Sequence, residues 1–218
     1  MIDAHEPKLT TDPRTRLLLV AEEVFAAKGF DGATVREICD QAGMNVAAIN
    51  YHFGDKEKLY IEAVKHAHTC SMSEGPLPPW VVGAPAVDKL RGFIRQMLRQ
   101  MHGPVRQSSL QLLMREMANT TPATRAVVED FIRPMAFTLR ELVRELMPKA
   151  AEKQRLMIGF SIVGQCLYYR QNRNVSVMLF GQEQIDELDL EAVTEHVTRF
   201  TLAALGLAKP YPTGEDCE

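Results

Sequence analysis

A chain of 218 residues that is 46% hydrophobic and 24% charged can bury a full core and has an ordinary globular composition, which excludes a long disordered or low-complexity protein. Its four cysteines, Cys39, Cys70, Cys166 and Cys217, are scattered without a CxxC pair, which argues against a disulfide framework or zinc knuckle and for a reducing cytoplasm. The formal net charge is −3, so nothing in the overall balance attracts nucleic acid.

Residues 1–11 read as a flexible tail without the basic and apolar regions of a signal peptide. Asp12 and Pro13 form an N-cap and first-turn pair, opening a helix with Leu17, Ala21, Val24 and Phe25 on one face and a stop at Gly29. Thr34, followed three residues later by Glu37, reads as a capping box for a second helix that turns Val35, Ile38 and Ala42 inward. Gly43 suits the left-handed turn that ends it, and Asn45 is a good cap for a third helix from Val46 to about Phe53. Met44, Ile49 and Phe53 then point inward, which leaves Val46, Ala47, Asn50 and Tyr51 outside. Asp55 caps a fourth helix that leaves this domain and forms its mechanical link to the remainder. Gly75 to Pro85, with four prolines, reads as a loop.

Helices follow almost to the end. Val87, Leu90, Ile94, Met97 and Met101 keep a 3-4-3-4 spacing, and Leu110, Leu113, Met114 and Met117 mark the next inward face. Thr121-Pro122 opens a long helix kinked at Pro134 and stopped by Pro148, with Val128, Phe131, Met135, Leu139, Leu142 and Leu146 inward. An apolar helix spans about Ala150 to Arg173, and its Gly159 and Gly164 suggest close approach by another helix or a ligand. Its run from Leu156 to Tyr169 is too short to cross a bilayer and contains Gln165. A last helix starts near Asp189, carries Leu190, Val193, Val197, Phe200 and Ala204 as a stripe, and ends at Gly206. No convincing strand signal occurs, so the predicted class is all-α. The expected organisation is a tail over 1–11, a three-helix domain over 12–56, a larger helical domain over 57–207, and a second tail over 208–218.

The second and third helices with the turn between them form a helix-turn-helix, whose second helix normally enters the DNA major groove. The run from Gly29 to Tyr60 is similar to the N-terminal domain of the TetR family of bacterial transcriptional repressors. The residues that carry the likeness are Gly29-Phe30, Thr34, Ile38, Ala42-Gly43, Tyr51-His52-Phe53 and Lys56-Glu57 before Leu59. Further along, Arg115-Glu116, Thr121-Pro122-Ala123, Arg133-Pro134 and the run Gly164 to Arg170 resemble the CecR-type subgroup of that family. The likeness implies a homodimer formed through the last two helices, double-stranded operator DNA as partner, and a small inducer bound among the C-terminal helices. On those helices the dimer residues would be Gly159, Val163, Cys166, Arg170, Val193, Val197, Phe200 and Ala204.

Residues 1–60 hold seven Lys and Arg against ten Asp and Glu, a balance that opposes DNA binding, yet no acidic residue lies between Gln41 and Gly54. The recognition helix carries no Lys or Arg, so base reading falls to Asn50, whose amide can pair bidentately with adenine, and to Val46, Ala47 and Ala48, which can meet thymine methyls. The resemblance adds Arg36 as a base or phosphate contact and Thr34, Tyr51, His52 and Lys56 as backbone contacts; Asn45 caps and sits at the same surface. Asn50 departs from the tyrosine usual in the subgroup.

For an inducer pocket, Met97, Met101, Met114, Met117 and Met135 are predicted to face inward with Met157 and Phe131, as a tolerant apolar lining or as plain core packing. Arg115, Glu116, Gln165, Tyr168 and Arg170 could orient a ligand, or two or three of them could form a buried ion pair or face the dimer partner, and His66 supplies one more polar contact. His66, His68 and Cys70 do not make a metal site alone, because His68 turns about 200° away from His66 on a helix. No metal or cofactor is expected. The sequence holds no nucleophile elbow, phosphate loop, HExxH or dinucleotide fingerprint, so catalysis is the weaker alternative, beside an architectural DNA-binding protein without inducer.

Overall fold

The computed structural model describes residues 12–71, 83–102, 106–119, 121–209 and 211, with only the backbone described at Ser71, Met101 and His102. The predicted tail over 1–11, most of the Gly75–Pro85 loop, the Met101 side chain and the last residues fall outside these. Among the described residues every regular element is helical. The chain divides into two compact units, residues 1–72 with 104–132 and residues 73–103 with 133–218.

In the first unit α1 (Pro13–Gly32) opens on Asp12, whose carboxylate accepts from the Thr15 amide. It kinks at Gly29, where φ is 73°, a left-handed conformation that a side chain disfavours. Next come α2 (Val35–Ala42), α3 (Ala47–His52), α4 (Lys56–Ser71), α6 (Gln107–Ala118) and α7 (Pro122–Val127). Leu17, Phe25, Ile38, Ile49, Leu59 and Leu112 are fully buried at its centre. The Phe25 and Tyr60 rings meet edge-on with centroids 4.8 Å apart, and Phe30 lies 5.1 Å from Tyr60.

Among the described residues of this unit two carboxylates are buried: Glu22, which nothing in the sequence singles out, and Glu116, which the sequence offers as a polar group that could orient a ligand. Glu22 of α1 accepts from the Ser109 hydroxyl at 2.9 Å, contacts the His66 ring, and lies 3.8 Å from Arg106. Glu116 of α6 accepts from Tyr60 and from the Thr121 and Thr124 hydroxyls, the latter two at 2.7 Å. Such partners are what make a buried carboxylate tolerable. They also place α6 differently from its periodicity. Its buried face is Ser109, Leu112 and Glu116, while Met114 and Met117, expected inside, are exposed. A stripe containing serine and glutamate does not read as apolar, whereas Leu110, Leu113, Met114 and Met117 beside it do.

The second unit holds α5 (Ala86–His102), α8 (Arg133–Leu146), α9 (Glu152–Gln171), α10 (Arg173–Phe180), α11 (Gln182–Asp186) and α12 (Leu190–Ala204) around Leu90, Phe93, Ile94, Met97, Leu98, Ile162 and Val197. The long helix expected from Thr121 is α7, a π-helical turn over Val128–Ile132, and α8. Pro134 accounts for the break: its ring removes one helical donor and crowds the carbonyl four residues back. Asp189 caps α12 as expected, accepting from the Ala192 amide at 2.8 Å. Two short helices, α10 and α11, lie between α9 and α12, beyond the elements that the sequence periodicity predicts.

Candidate nucleic-acid interface

The turn between α2 and α3 forms from its own local chemistry. The Thr34 hydroxyl accepts from the Glu37 amide at 3.1 Å, and so starts α2. The reciprocal half of the predicted capping box is replaced by an ion pair, with Glu37 held by Lys28 at 2.6 Å. Gly43 sits at φ 66° and ψ 37°, and the Met44 amide reaches back to the Cys39 carbonyl at 2.9 Å, the bonding of a left-handed helix end. Asn45 then accepts from the Ala48 amide at 3.1 Å, so its side chain caps α3.

Ile49 and Phe53 anchor α3 in the core, and the Arg14 guanidinium lies 4.9 Å from the Phe53 ring centre. This leaves Val46, Ala47, Asn50 and Tyr51 exposed on the outer face, with Tyr51 85% exposed, while Ala48 and His52 are half-buried. The Tyr51 and His52 rings pack edge-on at 4.9 Å, which holds both beside the helix end. Thr34 and Arg36 stand exposed at the start of α2. Lys56 is half-buried, its ammonium 4.5 Å from the Phe30 ring centre, a cation–π contact that fixes the charge near the first turn of α4. That helix is capped by Asp55, which accepts from the Lys58 amide at 2.8 Å, and this bond holds the Asp55 carboxyl below its ordinary pKa. The result is a small neutral ridge on one helix, flanked by Arg36 and Lys56.

Residues 17–63 match the family model described as bacterial regulatory proteins of the tetR family, and residues 86–205 match the C-terminal domain of the HTH-type transcriptional dual regulator CecR. The chain belongs to the TetR family. It is 26% identical to the dual regulator CecR of Shigella flexneri over 204 residues, covering 85% of this chain and 87% of that one. It is 29% identical to the transcriptional repressor AcnR of Corynebacterium efficiens over 162 residues, covering 71% and 74%. Among solved structures, the TetR-family regulator PfmR from Thermus thermophilus shares the fold at a TM-score of 0.53 with 17% identity, over 84% of this chain and 97% of that one. The protein is thus a DNA-binding transcriptional regulator of this family and not an enzyme, and TetR-family regulators dimerise.

The residues expected to meet an inducer divide between the two units of this TetR-family chain. His66, Met114, Arg115, Met117 and Phe131 lie in the first, and Met97, Met101, Met135, Gln165 and Tyr168 in the second. His66 is engaged with Glu22, and its ring stands 3.5 Å from the Cys70 sulfur. Arg115 lies across Gly29 and donates to the Ala27 carbonyl at 3.5 Å. Met97 is fully buried in the core of the second unit. Among the described residues no group of three His, Cys, Asp or Glu is placed to hold a metal, and no helix is long and apolar enough to cross a membrane. A cavity of about 170 Å³ lies in the second unit between Tyr168, Tyr169, Arg173, Ser176, Phe180, Ile185 and Leu188, and Tyr168 alone of the expected ligand residues borders it.

The expected dimer residues also separate. Cys166, Val193 and Val197 are buried in the second unit's own core, where the Cys166 thiol is pushed up to about 12 by burial. The α12 stripe is spent on α5 and α9 of the same chain. A Cβ added at Gly159 would meet Leu139 at an ordinary 3.8 Å, and nothing lies within 4 Å of where a Gly164 side chain would begin, so neither glycine marks a tight approach inside the chain. Val163 and Arg170 are half-buried, while Phe200 and Ala204 are exposed. A second exposed stripe runs along α9 through Met157, Phe160, Gly164 and Tyr168. Met157 therefore points outward rather than into a pocket.

Proposed function

We propose that this TetR-family protein is a cytoplasmic repressor that binds a palindromic operator as a homodimer and releases it when a small apolar molecule binds. The observation that carries the reading is the exposed neutral face of α3, where Val46, Ala47, Asn50 and Tyr51 stand outside the first unit's core. That face is narrow enough to enter a major groove. Asn50 reads an adenine, and Val46 and Ala47 meet thymine methyls, while Ala48, expected beside them, packs against the first unit's core. Thr34, Arg36, Asn45, Tyr51, His52 and Lys56 hold the phosphates around it.

The repressor sense is supported by AcnR, a repressor by name, while CecR is named a dual regulator. The dimer seam is the exposed stripe Met157, Phe160, Gly164 and Tyr168 of α9 with Phe200 and Ala204 of α12, where an open glycine lets two helices cross closely. Footprinting on the DNA that flanks the protein's own coding region tests the reading. The expected result is a palindromic protected site with half-sites about 34 Å apart, one helical turn. Protection no greater than on random duplex overturns it. An inducer must bind the free protein more tightly than the operator complex, and operator must weaken inducer binding by the same factor.

A further inference from the structure

We infer that α10 is part of the surface covered by a second copy of this chain, extending the seam proposed for α9 beyond the end of that helix. This rests on the dimer reading above. The helix has eight residues, none of them buried, and no charge after Arg173. Its sides differ. Arg173, Ser176 and Phe180, three and four residues apart, line the cavity shared with α9 and α11. Val175, Met178 and Leu179 share the opposite side and stand in solvent, Met178 84% and Leu179 68% exposed.

A helix whose open side carries only apolar side chains in solvent marks a surface that something else covers. A small molecule in the cavity would leave Met178 and Leu179 uncovered, since these side chains do not line it. The second copy is favoured by continuity. The exposed stripe of α9 ends at Tyr168, which is itself a wall of the cavity, and α10 begins only one residue after α9 stops at Gln171. A partner laid along Met157, Phe160, Gly164 and Tyr168 therefore reaches α10 next. Arg173, the one charge on the helix, is held by Asp186 at 2.5 Å within its own chain, so a partner meets an apolar surface.

The test is sedimentation velocity on the full chain over a concentration series. Wild type and Met178→Leu should dimerise alike, Phe160→Asp should be monomeric, and Met178→Asp and Leu179→Asp should each raise the dimer Kd at least tenfold. If both aspartate variants of α10 dimerise like wild type while Phe160→Asp does not, α10 lies outside the seam and this inference is overturned, with the dimer reading intact. A wild type that is monomeric throughout overturns both. A second readout needs no aspartate: in Met178→Cys, the maleimide labelling rate of the new thiol should fall as concentration rises through the dimer Kd, and a rate independent of concentration refutes the covering.

Discussion

Glu116 should hold α4 against α6 and α7, and removing it should cost more than its position on a mid-chain helix suggests. Its carboxylate accepts from three hydroxyls, those of Tyr60 in α4, Thr121 at the cap of α7 and Thr124 in its first turn. A hydrogen bond to a charged acceptor contributes about 1.5–3 kcal/mol, but the three do not add. Thr121 is half-buried and can turn to water, and Thr124 keeps the Thr121 amide at 3.0 Å as a donor to its oxygen. Removing Glu116 also relieves the cost of burying a charge. What remains is the buried Tyr60 hydroxyl, the Thr124 proton and the space left behind. For Glu116→Ala this gives a loss of about 3–5 kcal/mol. Glu116→Gln keeps the shape and one acceptor, and should cost about 1–2 kcal/mol. Urea unfolding followed by circular dichroism measures both, and thermal melts of the alanine variant should fall by about 6–20 °C at 2–4 °C per kcal/mol. A loss under about 1 kcal/mol for alanine, or equal losses for the two variants, would refute the reasoning that the three hydroxyls depend on this carboxylate.

On DNA, Lys56→Ala should weaken binding to operator and random duplex alike and flatten the salt dependence by about one unit of slope. Asn50→Ala should cost about 1–3 kcal/mol on the operator at unchanged slope; equal weakening on random duplex would remove Asn50 as a base reader. Asn45→Ala should lose the cap on α3 and about 1 kcal/mol of stability, seen as a lower urea midpoint, whereas Asn45→Asp should keep it. Hydrogen bonds from the Thr15 side chain and the Lys58 amide hold the Asp12 and Asp55 carboxyls below their ordinary pKa values, so their stabilisation is complete above about pH 4 and is lost as pH falls through the lower folded values. The double variant Asp12→Asn, Asp55→Asn should therefore lose less stability than wild type on acidification below about pH 4, and parallel acid titrations would contradict this.

The helix-turn-helix was legible because its determinants are local. Thr34, Gly43 and Asn45 each act on backbone atoms within five residues, and the structure finds each cap or turn in place. Even there, the second half of the capping box depended on Lys28, nine residues before Glu37, which periodicity cannot rank against a backbone donor. Farther along, the same limit decides more. An apolar stripe says that a face is covered, not what covers it. On α12 the stripe Val193 and Val197 is covered by the chain's own α5 and α9, while Phe200 on the same stripe is left outside. On α9 the residues buried in the chain are Ile162 and Cys166, offset from the exposed Met157, Phe160 and Tyr168, and both sets are apolar. A helix that must meet its own core and a second surface is apolar nearly all round, and its moment is too small to name either face. The buried carboxylates fail in the opposite sense. In the sequence Glu22 looks like a solvent residue and Glu116 like a ligand-orienting group, because their partners, His66 and Ser109 for one, Tyr60 and Thr124 for the other, come from other helices. Each is an acid whose place inside is set by tertiary donors, and tertiary donors leave no period in the sequence.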